Sequence, residues 1–278
     1  MVWNDPSVLP VFSLMPDMTK KDPFFLITAT CGLVVLAFIV LPLVEMLTAP
    51  SLSMLKETIK EENVLQSIWL SIYTAGVAAV IAFVLGTPLA YLLARSDFWG
   101  KRLIEGIIDL PIVIPHPVVG IAILSVSGRN HWVGQIMSQV GIRVMGSVTG
   151  IVIVLTFVGM PLYVNAVKDG FEGISPRLEN VSRSLGAPML STFLRITFPL
   201  AWRSMLVGLI MCSARAISEF GAVVIVAYHP MIAPVLIYER FEGYGLKYSQ
   251  PVAVWLVLIC LTLFLILRVL TLPKKKKT

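Results

Sequence analysis

Arg215 and Glu219 are the residues of this sequence whose types and spacing most readily suggest chemistry. They lie four residues apart inside an apolar run, so a helix would place both side chains on one face. A charge at the centre of a bilayer costs about 2.5–3.5 kcal/mol on insertion scales, so such residues are usually paired and face the protein interior. We expect Glu219 to be the partner of Arg215 and not a ligand. Arg215, the Ser218 hydroxyl and the Gly221 backbone could supply the donors that bind an anion. The pair could equally line a passage or only brace its helix.

His116 lies in a second apolar run that is crowded with Pro111, Pro115 and Pro117. Each proline removes a backbone N–H and clashes with the preceding turn, so we expect the helix to be kinked or broken here. Broken helices often turn backbone polar groups toward a transport cavity, although a kink that only shapes packing is the alternative. The candidate residues for a translocation path are Arg215, Ser218, Glu219, Gly221, Pro115 and His116.

The sequence carries no signature of bond-making chemistry. The ATP-binding pattern G-x(4)-G-K-[ST] is absent, as are G-x-S-x-G and H-E-x-x-H. An intramembrane hydrolase would need a nucleophile beside a base, and Ser125 or Ser218 with His116 is the one arrangement left open. The remaining candidates are isolated from one another: His131, His229, Cys31, Cys212 and Cys260. We therefore predict no enzyme, no cofactor, no metal site and no disulfide.

The composition indicates a helical membrane protein. Of the 278 residues, 57% are apolar and only 14% are charged, against about 25% charged in soluble domains. Only helices and closed barrels satisfy their backbone groups in lipid, and no ten-residue alternation suggests a barrel. The net charge of +6 fits basic residues that flank spans better than nucleic-acid binding. The fold class is therefore all-α and polytopic.

Six apolar runs are long enough to cross a bilayer, namely 24–44, 64–93, 107–126, 147–167, 205–228 and 251–267. The side that holds both termini carries fifteen of the 22 Lys and Arg residues, so the positive-inside bias places both termini in the cytoplasm. We divide the chain into an N-terminal segment 1–23, one six-helix domain 24–270 and a basic tail 271–278. Segments 51–63 and 131–144 are predicted to be short surface helices, the latter alternatively a re-entrant piece.

The 168–204 segment is long for a simple connection. Ser175 followed by Pro176 predicts a helix start, and Gly186 predicts its end. The helix between them would carry Leu178, Val181 and Leu185 on one apolar face, and a second helix would lead into the fifth span. The first helix could lie on the membrane surface or dock into the groove of a partner protein.

This segment resembles the EAA motif of ABC-importer permeases, E-A-A-x-x-x-G-x(9)-I-x-L-P. Counted from Gly186, the residues Asn180, Val181 and Ser182 occupy the E-A-A positions, and Glu179 stands beside the substituted acid. Residues 196–199 match I-x-L-P except at Phe198. The resemblance covers about residues 60–270, and residues 215–225 and 234–241 are similar to the molybdate/tungstate branch.

The resemblance implies a pore subunit in the cell membrane with six transmembrane helices and a cytoplasmic coupling helix. Its implied partners are two ABC ATPase subunits, a second permease copy in a homodimer and an extracytoplasmic oxyanion-binding protein. The transported anion would be molybdate or tungstate; a sulfate or thiosulfate permease is the alternative, followed by a secondary transporter or an intramembrane enzyme. The implied coupling residues are Glu179, Asn180, Val181, Ser182, Arg183, Leu185, Gly186 and Ala187.

Overall fold

The structure is a computed structural model that describes residues 23–271, with side chains described up to residue 265. The predicted N-terminal segment up to residue 22 and the basic tail from residue 272 lie outside the described residues. The described part consists of helices and connecting turns without a strand, which confirms the all-α class.

The helices follow one another as α1 (Pro23–Thr48), α2 (Leu52–Thr58), α3 (Glu62–Arg95), α4 (Lys101–Val113), α5 (His116–Ser127), α6 (Trp132–Gln139), α7 (Val148–Glu172), α8 (Pro176–Ser184), α9 (Met189–Thr192), a π turn (Phe193–Thr197), α10 (Phe198–Ile217), α11 (Gly221–Val226), α12 (Ala233–Tyr244) and α13 (Leu246–Thr271). Helix α1 belongs to a first unit that ends at Ala49, and the other helices belong to a second unit that begins at Pro50.

Five helical stretches of the described chain are long and apolar enough to cross a membrane. They are Pro23–Thr48, Glu62–Arg95, Val148–Glu172, Met189–Ile217 and Leu246–Leu265. Helices α4 and α5 meet at an angle of 114°, and the total rises to six if this bent pair is counted as one span. The predicted number of spans therefore agrees with the structure when the bent pair crosses as one.

Helices α3, α7 and α10 form the centre of the second unit. Tyr163 on α7 is fully buried between them, and its hydroxyl lies 2.7 Å from the Thr87 hydroxyl. A Cβ atom on Gly86 would lie 2.8 Å from Tyr163 Cδ1, and one on Gly208 would lie 3.0 Å from Tyr163 Cδ2. These glycines let the neighbouring helices approach α7 closely, as small residues do in membrane bundles.

The chain bends by 114° between α4 and α5, so the helix is interrupted here, which is one of the two possibilities that the prolines left open. Pro115 has an extended backbone and its carbonyl accepts the first hydrogen bond of α5. Helix α4 is tied to α7 by two polar contacts of 2.7 Å, from Lys168 to Glu105 and from Asn165 to Asp109. The proline lacks the N–H that a continuous helix would need, so the chain can turn sharply at this point.

The predicted fifth span is wrong at both ends. Residues 205–228 were expected to be helical throughout, whereas the observed helix runs over Met189–Ile217 and includes the π turn. The chain breaks after Ile217, and the Glu219 carboxylate reaches forward to accept the backbone N–H of Ala222 in the first turn of α11. A polar side chain within an apolar run can thus bond the backbone at the start of a new helix, and the preceding helix then ends.

Two short helices lie in the segments predicted to contain them. Ser51 caps α2 by accepting the N–H of Met54, and the indole N–H of Trp255 donates to the Leu55 carbonyl at 2.9 Å. The His131 ring caps α6 by accepting the N–H of Val133. Segment 131–144 is therefore a short helix followed by a turn.

Candidate functional site

Helix α8 begins and ends as its sequence requires. Pro176 occupies the first helical position, where its missing N–H is not needed. At the other end, Gly186 has φ +90° and donates its N–H to the Arg183 carbonyl at 2.9 Å. Ala187 donates its N–H to the Ser182 carbonyl at 3.2 Å, which completes a Schellman motif. The left-handed glycine therefore fixes the point at which the chain leaves α8.

Glu179 ties α8 to the helix bundle. Its carboxylate is buried and accepts hydrogen bonds from Arg95 at 2.9 Å, Thr197 at 2.9 Å and Tyr91 at 3.1 Å. Arg95 also donates to the Ile174 carbonyl at 3.0 Å, just before α8. The sequence grouped Glu179 with residues that would contact an ATPase, but its side chain points into its own bundle. It positions α8 and does not belong to the exposed face.

The environment of Glu179 favours its charged form. Burial alone would raise the pKa of this carboxyl, but the hydrogen bonds from Arg95 and Thr197 and the positive charge of Arg95 outweigh burial. The pKa of Glu179 is therefore below its ordinary value. The ion pair with Arg95 persists at neutral pH and is lost only when the pH falls through that lowered pKa.

The π turn brings Thr197 to Glu179. Across it, the N–H of Phe198 donates to the Phe193 carbonyl five residues earlier, so the turn holds one extra residue. Phe193 packs against Phe171 and against Tyr91, whose hydroxyl also reaches Glu179. Sequence reasoning missed Arg95, Tyr91 and Thr197, although Thr197 lies inside the matched I-x-L-P segment.

The opposite face of α8 is open and partly apolar. Leu178, Val181 and Leu185 are 48%, 60% and 83% exposed. Asn180, Arg183 and Gly186 are also exposed, whereas Ser182 and Ala187 are half-buried. The Ser182 hydroxyl lies 2.9 Å from the Thr192 hydroxyl. Helix α8 thus has one face fixed to the bundle and one face with unpartnered apolar side chains.

The structure brings Arg215, Glu219 and His116 together. The Arg215 guanidinium lies 2.7 Å from the Glu219 carboxylate and 2.7 Å from His116 Nε2. Glu219 is 1% exposed, and its second oxygen accepts the N–H of Ala222 at 2.8 Å. The expected pairing of Arg215 with Glu219 is confirmed. Because each charge or dipole here has a partner, the cluster is stable where an isolated carboxylate would not be.

The cluster sits at the start of α5 and the end of α10. A Cβ atom on Gly221 would lie 2.9 Å from the His116 Cβ, so glycine is needed for α11 to pack against α5. Pro115 forms the break just before His116. Ser218 does not join the cluster; its hydroxyl donates to the Arg215 carbonyl, and the residue lines an apolar cavity of about 440 Å³ beside α13.

The described residues do not assemble the hydrolase arrangement that the sequence left open. Ser125 donates to the Ile121 carbonyl and Ser218 to the Arg215 carbonyl, and neither hydroxyl bonds His116. Among the described residues no cluster of His, Cys, Asp and Glu could hold a metal ion, and the three cysteines are free. The polar groups of these sites hold helices together and present charge, without a nucleophile beside a base.

The family model described as "Binding-protein-dependent transport system inner membrane component" matches residues 82–272. The chain is 41% identical to a molybdate/tungstate transport system permease protein of Pyrococcus abyssi, over 90% of this chain and 97% of that protein. It is also 41% identical to the protein of that description from Methanocaldococcus jannaschii, over 83% and 90%. A sulfate transport system permease protein of Synechocystis is 31% identical over 71% and 70%.

Solved structures share the fold at low sequence identity. A chain of a bacterial alginate ABC transporter superimposes with a TM-score of 0.73 at 14% identity, covering 89% of this chain and 94% of that one. A chain of an inward-facing methionine ABC transporter gives a TM-score of 0.61 at 16% identity, over 75% and 94%. The helix arrangement is therefore one that transporter subunits use.

Proposed function

Because the chain belongs to the family of binding-protein-dependent transport system inner membrane components, we propose that it is the pore subunit of an ABC importer for molybdate or tungstate. The observation that carries this proposal is the 41% identity with molybdate/tungstate permeases over nearly the whole chain. The similarity to the sulfate permease is weaker and covers less of the chain. We therefore favour molybdate and tungstate over sulfate.

In this proposal α8 is the coupling helix that docks into a groove of an ATPase subunit. A coupling helix must be held firmly by its own bundle and must offer a surface to its partner. The anchoring of Glu179 by Arg95 and Thr197 meets the first requirement. The exposure of Val181 and Leu185 meets the second, because burying apolar side chains favours association. Five further residues would contact the ATPase or shape the surface that meets it, namely Asn180, Ser182, Arg183, Gly186 and Ala187, while Glu179 positions α8 from inside the bundle.

Transport would follow an equilibrium between two states of a pore built by two copies of this chain. ATP binding would draw the two ATPase subunits and their coupling helices together and favour the outward-open state, and hydrolysis would allow the return. The chain itself makes and breaks no bonds. Both termini would lie in the cytoplasm with α8, and an extracytoplasmic binding protein would deliver the anion on the other side.

The translocation path would pass the beginning of α5 and the end of α10. The chain is not helical just before α5 or just after α10. Arg215 and His116 carry hydrogen-bond donors that suit an anion, and the Glu219 carboxylate offsets the positive charge of Arg215. A partly compensated site binds an anion weakly enough to release it. The break at Pro115 and the small Gly221 leave α5 and α11 in close contact beside this cluster.

The test is uptake by the full complex in proteoliposomes that contain the chain, its ATPase subunit and its binding protein. The ATPase subunits should face the vesicle lumen. Radiolabelled molybdate and tungstate added outside should then enter the lumen only when ATP is enclosed there. Excess unlabelled sulfate should not compete. Uptake of sulfate in preference to molybdate would refute the substrate assignment, and uptake driven by an ion gradient without ATP would refute the importer itself.

A further inference from the structure

The loop between α5 and α7, residues 128–147, encloses a cavity that the transport proposal does not use. Its volume is about 1090 Å³, and Arg129 and Arg143 line it together with Gly128, Gly134 and Gly141. Among the described residues neither arginine side chain forms an ion pair or a hydrogen bond. The cavity therefore presents two uncompensated positive charges beside accessible backbone.

Helix α6 in this loop carries an exposed apolar stripe. Trp132, Ile136 and the C-cap residue Val140 recur every four residues and are 66%, 53% and 66% exposed. The helix is held by its other side, because a Cβ atom on Gly134 would collide with the carbonyl oxygens of Ser127 and Gly128. The stripe consequently faces away from the bundle.

The flanking spans fix the depth of this loop. Helix α5 ends at Ser127 and closes the bent pair that can cross a membrane as one span, and α7 begins at Val148 and is itself long and apolar enough to cross. The residues between them lie where the chain leaves the apolar layer, which is the level of the lipid headgroups. Tryptophan is enriched at this level, and amphipathic helices lie there with their apolar side in the boundary of the acyl chains.

We propose that the loop binds the headgroup of a membrane phospholipid. Arg129 and Arg143 bind the phosphodiester oxygens, because guanidinium groups donate paired hydrogen bonds to phosphate. Trp132, Ile136 and Val140 enter the boundary of the acyl chains beside it. The proposal requires only that the chain is inserted in a membrane, so it stands apart from which anion is transported.

A free oxyanion is the other source of the same chemistry, and two observations favour the lipid. The cavity is far larger than a single tetrahedral anion, and the two arginines that line it are exposed. The apolar stripe on α6 has no role in holding a small solute, whereas a lipid engages both the arginines and the stripe.

The experiment measures binding of phosphatidylglycerol to the purified full chain in detergent by native mass spectrometry. Each basic residue near a lipid surface strengthens binding about fivefold. Because the double variant R129Q/R143Q lacks two of them, it should bind its tightest lipid roughly 30-fold more weakly. The matched control K56Q/K60Q removes two exposed charges from the segment around α2 and should stay within twofold of the parent chain. I136E should weaken binding as well, because it places a charge in the acyl boundary.

Two results would overturn the proposal. The first is equal lipid binding by the parent chain and R129Q/R143Q. The second is displacement of the lipid by sodium molybdate or sodium phosphate at micromolar concentration, which would make this a solute site. If the first result comes with a change in the oligomeric state of R129Q/R143Q, seen by light scattering, the loop is an interface between two copies. Failure of molybdate uptake with lipid binding intact would count only against the transport proposal.

Discussion

Replacing Glu179 by Gln should release α8 from the bundle while leaving the rest of the fold in place. Removing one member of a buried ion pair costs about 3–5 kcal/mol, because the other charge stays buried without its partner. Both side chains are well buried, with 12% of Arg95 and 10% of Glu179 exposed. Glutamine keeps one acceptor oxygen, and one retained hydrogen bond offsets about 1 kcal/mol of that loss. The net cost is therefore about 3 kcal/mol, or roughly a hundredfold in the opening equilibrium of α8.

The assay is amide hydrogen exchange over residues 176–186 in the reconstituted full chain. Exchange in E179Q should be roughly a hundredfold faster in this segment and unchanged in α7. The control is E105Q, which breaks the ion pair with Lys168 between α4 and α7 and leaves the contacts of α8 intact. Equal exchange over 176–186 in E179Q and the parent chain would refute the anchoring role.

The same anchor predicts a dependence on pH. The pKa of Glu179 is lowered in the folded chain, so its stabilising contribution is complete above the ordinary carboxyl pKa and is lost as the pH falls through the lowered value. Exchange over 176–186, corrected for its intrinsic pH dependence, should accelerate on acidification in the parent chain. In E179Q this acceleration should be absent, since the titrating group has been removed.

Further substitutions test the end of α8, the charged cluster and helix packing. G186A should cost about 1–2 kcal/mol, because alanine is strained at φ +90°, and should uncouple ATP hydrolysis from uptake in proteoliposomes. R215A should reduce uptake at least tenfold because it leaves Glu219 buried without its partner, yet the ATPase should still co-purify. G120V should lower the unfolding temperature measured by fluorescence, since its Cβ would lie 2.7 Å from the Ala222 carbonyl oxygen. Unchanged uptake in R215A, or an unchanged unfolding temperature in G120V, would contradict the assigned contacts.

The apolar runs and the turn residues of the sequence are enough to predict the spans and the ends of α8. Length and hydropathy predicted the spans because a bilayer demands about 20 apolar residues with every backbone group bonded. Pro176 and Gly186 predicted the ends of α8 because their constraints are local and need no knowledge of the fold. The spacing of Arg215 and Glu219 predicted their pairing, since residues four apart share one face of a helix.

Contacts between distant segments were decided only by the tertiary structure. Glu179 reads as a surface residue of an amphipathic helix, and only the approach of Arg95 and Thr197, 84 and 18 residues away, makes it a buried anchor. The end of the fifth span at Ile217 depends on Glu219 capping α11, which hydropathy cannot register. The spacing of apolar residues indicates which face of a segment avoids water. The partner of a buried charge, by contrast, depends on which distant segments the fold brings beside it.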